Sequence, residues 1–108
     1  MAFTVKEEYK RLNKIKNDIE SKGDEMAFEC GCVCGIVTRI EYCKVKPYDF
    51  ERTPPNIWLE EEIQIYVNCF GEREDLALTL REEDVKKRYQ DRKYRWNKKY
   101  KILESFVR

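Results

Sequence analysis

From Ala27 to Val45 apolar positions alternate with polar ones. Phe28, Cys30, Cys32, Cys34, Ile36, Ile40 and Tyr42 share one parity, with Thr38 interrupting, while Glu29, Arg39 and Glu41 take the other. Such alternation marks a half-buried strand, so one long strand is expected here. The opposite parity also holds Val33, Val37 and Val45, which predicts partial cover on both sides. Gly31 and Gly35 offer no side chain to pack, and glycines inside a strand pattern mark a bulge or bend. The strand is therefore expected to curve.

Before it, Thr4 to Lys22 reads as a helix: Val5, Tyr9, Leu12, Ile15 and Ile19 recur at helical steps, Thr4 and Glu7 fit a capping box, and Gly23 is a natural stop. Its remaining positions are mostly charged, which suits a surface helix with a single apolar stripe. Lys46 to Asn56 holds Pro47, Pro54 and Pro55 and reads as a loop. From Ile57 to Phe70 a second strand region follows, with Ile63, Ile65, Val67 and Cys69 on one parity and Glu60, Glu62, Gln64 and Asn68 on the other. Glu61 breaks this pattern, pointing to a turn or bulge at Glu60 to Glu62 or to an exposed sheet edge. Leu76, Leu78 and Leu80 mark a third strand, and the short turn at Gly71 to Asp75 predicts that it pairs antiparallel with Ile63 to Phe70. Glu82, Glu83 and Asp84 suit the first turn of a last helix reaching about Phe106, with Val85, Tyr89, Trp96, Tyr100, Leu103 and Val107 as its stripe. That stripe is broken where Arg92 or Lys93 occupies the missing turn.

These elements predict one α+β domain over residues 1–108: an N-terminal helix, a curved antiparallel sheet of three or more strands, and a long C-terminal helix. The order of elements, with GIVTRI entering a bent strand before a meander, loosely resembles small SH3-like barrels with flanking helices. The likeness rests on no specific motif and implies no function.

Charge divides the chain more than its net +1 suggests. Arg81 to Arg108 carries 11 basic and 5 acidic residues, net +6, whereas Met1 to Leu80 carries 11 basic and 16 acidic, net −5. Such asymmetry points to polyanion binding or a two-faced surface. No apolar run approaches the roughly 18 residues of a membrane span, so a soluble chain without a membrane partner is expected.

Cys30, Cys32 and Cys34, with Cys43 or Cys69, suggest an all-thiolate metal site. Alternate residues of an extended strand stand roughly 6.6 Å apart, however, and converge poorly on one ion. Small apolar core residues are the better reading, and no metal is expected. Five cysteines, an odd number without a signal peptide, argue against a disulfide framework and for a cytoplasmic, reducing compartment.

The chain has no histidine, the commonest general base and usual activator of Ser or Cys nucleophiles, and no phosphate-binding glycine loop. Glu60, Glu61 and Glu62 are adjacent on a strand and so alternate between its faces, which suits a cation site badly. A non-enzymatic protein without a cofactor is expected. Its function is read as binding another protein, as an inhibitor or adaptor, through aromatic and acidic residues: Tyr48, Phe50, Trp58, Glu60 and Glu62. The second reading is nucleic-acid binding by the basic C-terminal helix, where Arg88, Arg92, Arg95 and Lys99 recur at helical steps on one exposed face.

Overall fold

The computed structural model describes residues 4–29, 34–45, 59–68, 73–87 and 91–105. Helix α1 spans Val5–Ser21 and starts as its cap requires, with Thr4 Oγ1 accepting from the Glu7 N–H at 3.1 Å. At its end the Asp24 N–H reaches the Ile19 carbonyl and the Gly23 N–H reaches that of Glu20, while Gly23 takes the left-handed φ of 83°. This Schellman closure needs a residue free of the Cβ penalty. Val5, Leu12 and Ile19 form the buried stripe, lying one heptad apart on one side of the helix.

Six strands follow: β1 (Ala27–Glu29), β2 (Cys34–Val45), β3 (Glu60–Asn68), β4 (Glu74–Arg81), β5 (Tyr94–Asn97) and β6 (Ile102–Ser105), with a short helix α2 (Glu82–Lys86) between β4 and β5. They form one sheet in the order β4-β3-β2-β1-β6-β5. The β3–β4 hairpin pairs antiparallel as expected, Ile63 opposite Leu80 and Ile65 opposite Leu78.

The stretch expected as one long strand is two. β1 and β2 pair antiparallel, with Phe28 opposite Gly35 and Glu29 opposite Cys34. Cys30 to Val33, Gly31 among them, lie outside the described residues. A register shift between Val37 and Arg39 then turns the parity of β2 at Thr38, so Val37 and Ile40 are buried while Ile36 lies on the opposite face. A second shift, at Ala77, does the same in β4. No shift accompanies Glu61: it lies on the inner face opposite Lys44, accepting a hydrogen bond from the Tyr42 hydroxyl.

The larger correction concerns the C-terminal third, where the long helix is absent. α2 has five residues, with the Asp84 carboxylate accepting from the Arg81 N–H at 2.9 Å, and at Lys87 the backbone is already extended. Beyond it β5 and β6 form an antiparallel hairpin, Trp96 opposite Leu103. β6 pairs parallel with β1, Phe28 opposite Leu103, so the sheet is mixed rather than antiparallel. Tyr94 and Trp96 serve as well at strand spacing as at helical spacing, and aromatic residues favour the pleated surface. What decides is β1, which would have an unpaired edge in the middle of the molecule without β6.

α1 packs across β2 and β3. Beneath it Phe28, Val37, Ile63, Ile65, Val67, Leu80 and Leu103 are each no more than 1% exposed. Burying one such side chain contributes about 1.5–3 kcal/mol. The sheet curls: Lys93, at the entry to edge strand β5, pairs with Asp84 of α2 at 3.2 Å, and α2 directly follows the other edge strand, β4. No helix among the described residues is long and apolar enough to cross a membrane.

Candidate functional site

The curl brings α1 together with α2 and the start of β5 around one buried carboxylate. Glu8 faces the sheet from the first turns of α1 and is fully buried. Arg11 grips it with a fork, Nε at 2.7 Å and Nη2 at 3.0 Å. The Tyr94 hydroxyl donates to Oε2, the oxygen that Arg11 Nη2 also reaches, and Arg92 Nη1 lies 3.4 Å from the same atom. Arg92 also donates to the Val85 and Lys87 carbonyls at 3.3 and 3.2 Å, which ties α2 into the same cluster. Burial works to raise the Glu8 carboxyl, but the Arg11 fork, the Tyr94 hydroxyl and the Arg92 charge outweigh it and hold the group below the usual carboxylate range. Burial, and then the neighbouring carboxylate, push the Tyr94 phenol well above its ordinary value. With both oxygens hydrogen-bonded and the side chain fully buried, Glu8 is arranged as a clamp between α1 and β5.

A different surface lies open to partners. The face of the sheet away from α1 carries Arg39 opposite Tyr66 and Tyr66 opposite Leu76. The Arg39 guanidinium stacks 3.9 Å from the centroid of the Tyr66 ring, and Leu76 is 50% exposed. Polar contacts brace the group: Arg39 bonds Glu74 and Glu41, each at 2.7 Å, Thr38 donates to Glu74 at 2.5 Å, and the Tyr66 hydroxyl donates to Gln64 at 2.7 Å. The Thr38 hydrogen bond, then Arg39, lower the Glu74 carboxyl, so it is charged at neutral pH. In the described ladders this face holds Arg39, Arg81 and Arg95 against Glu29, Glu41, Glu60, Glu62, Glu74 and Glu104, a net charge of −3. Beside it a shallow cleft of about 780 Å³ opens between α2 and the start of β3, lined by Glu60, Glu61, Glu82 and Glu83 with Lys44, Arg81, Lys86 and the 44% exposed Leu59.

Of the acidic and aromatic residues expected at a protein contact, Glu60 and Glu62 both lie on this face, Glu60 at the cleft and Glu62 buried beside Arg81 at 3.5 Å. Tyr48, Phe50 and Trp58 lie outside the described residues. Of the basic residues expected along a helix, Arg88 also lies outside them, and the other three are not on one helical face. Arg92 is drawn to Glu8, Arg95 pairs with Glu104 on the acidic face, and Lys99 sits in the β5–β6 turn. Cys43 is half-buried on the outer face, opposite Glu62, while Cys30, Cys32 and Cys69 lie outside the described residues. Arg39, Tyr66 and Leu76 are not evident from the alternation, because the shift at Thr38 shows there only as one interrupted position and the shift at Ala77 leaves the Leu76, Leu78, Leu80 pattern unbroken. Compared with protein-family models, with curated proteins and with solved structures, the chain matches none.

Proposed function

We propose that this protein works by binding another protein, as an inhibitor or adaptor, and that it does so with the outer face of its sheet. The observation that carries the reading is the Arg39–Tyr66–Leu76 group, an aromatic ring, a guanidinium and a half-exposed aliphatic side chain held rigidly on adjacent strands. Tyr and Arg are the residue types in which binding energy concentrates. The carboxylates around the group favour one kind of partner: a protein surface with Lys or Arg residues about an apolar centre, steered to this face by charge. We read the setting as cytoplasmic, because the cysteines are odd in number and Cys43 is a free thiol, which suits a reducing compartment.

The test is affinity capture by the wild-type protein and by a Tyr66→Ala, Leu76→Glu double variant, with nuclease treatment of what is retained. A basic protein that survives nuclease, elutes with salt and is lost with the variant is the expected result. Retention unchanged by the variant, recovery of nucleic acid alone, or turnover of a substrate by the purified protein would overturn the reading.

A further inference from the structure

The turn between β5 and β6 takes part in neither the clamp nor the acidic face, and we propose that it binds single-stranded nucleic acid, with a base stacked on Tyr100 and flanking phosphates held by Lys98 and Lys99. The turn has a defined shape. Asn97 Oδ1 accepts from the backbone N–H groups of Lys99 at 3.0 Å and Tyr100 at 3.3 Å, an Asx turn. Lys101 closes it with a left-handed φ of 56°. Its carbonyl accepts from the Ala27 N–H at 3.2 Å and its ammonium pairs with Asp24 at 2.6 Å, so the turn is pinned to the start of β1.

On this frame Tyr100 is 62% exposed, more than any other described large hydrophobic side chain. The Lys99 ammonium stands 5.3 Å from the ring centroid, and Lys98, Lys99 and Lys101 fall within four residues. An acidic protein would need only the charges. A presented ring beside two adjacent lysines matches the pairing of base and phosphate along a strand. One ring can stack only on a base whose face is free, which selects single strands and loops over duplexes. The inference is independent of the acidic face and stands whether or not that face binds a protein.

Fluorescence anisotropy with labelled oligothymidylate and oligouridylate, at low and physiological salt, tests it. Tyr100→Ala is expected to weaken binding about 5- to 100-fold, and Tyr100→Trp to restore it, with the thermal midpoint unchanged. Lys98→Gln with Lys99→Gln should reduce the slope of log affinity against log salt by about 1.4, from roughly 0.7 per single-strand phosphate. No binding at low salt, binding indifferent to Tyr100→Ala, or equal affinity for polyglutamate would each overturn it.

Discussion

Replacing Tyr94 by Phe removes one oxygen atom and keeps a ring that is 1% exposed, so it isolates the hydrogen bond to Glu8 from the packing around it. A hydrogen bond to a charged group contributes about 1.5–3 kcal/mol. Here the carboxylate keeps the Arg11 fork and Arg92 when the hydroxyl goes, which places the loss near 2 kcal/mol. For a domain of this size that is about 8–12 °C in Tm. Removing Glu8 itself strands two guanidiniums, but the Arg11 side chain is 38% exposed and can turn to water. Glu8→Gln should therefore cost about 3 kcal/mol, the low end for breaking a buried ion pair. Urea unfolding of the two single variants and the double variant, followed by tryptophan fluorescence, closes a double-mutant cycle with a coupling of about 1–2 kcal/mol. A Tyr94→Phe loss under about 0.5 kcal/mol with an unchanged urea slope would refute the account of Glu8 as a clamp joining α1 to β5.

Because the folded protein holds the Glu8 carboxyl below its ordinary value of 4.5, the stability it contributes is complete above that pH and lost as pH falls through the depressed value; acid titration of Glu8→Gln should show a flatter decline than wild type. Arg92→Glu, which puts a second carboxylate against Glu8, is expected to unfold the domain, whereas Arg95→Glu on the outer face should leave its circular dichroism intact. Gly23→Ala meets no atom within 4 Å, so its cost in thermal denaturation should be the left-handed backbone alone, about 1–2 kcal/mol. Ile65→Ala, at a fully buried centre of the sheet, should lose about 2–5 kcal/mol in the same assay, against less than about 0.5 kcal/mol for Leu76→Glu.

Where local chemistry decides structure, the sequence was readable. Thr4 and Gly23 announce the two ends of α1, and the leucines of β4 announce its hairpin with β3, because caps and short turns act within a few residues. The C-terminal third was misread because Val85, Trp96, Tyr100 and Leu103 fit a helix nearly as well as a hairpin. Its outcome is settled by a three-residue strand far upstream that no local pattern reveals. The clamp was hidden for the same reason: Glu8 and Arg92 look like surface charges until the curl of the sheet brings them together. On the outer face, Glu60 and Glu62 were legible as carboxylates on a strand, but their neighbours Arg39, Tyr66 and Leu76 depended on bulges.

The parallel pairing of β1 with β6 also sets an order of events for the nascent chain. Residue 27 finds its partner at residue 102, so β1 cannot be enclosed until Ile102 to Ser105 have left the ribosome, although α1 and the β2–β3–β4 meander are synthesised long before. Until then β1 is a free edge and Glu8 lacks both Arg92 and Tyr94. Contacts between residues so distant in the chain slow folding, and a waiting strand edge is a point where chains pair with one another. Folding should therefore be completed only once β6 has emerged and be cooperative in its last step, and a chain cut anywhere before Tyr94 should behave as an aggregating intermediate rather than as a smaller domain.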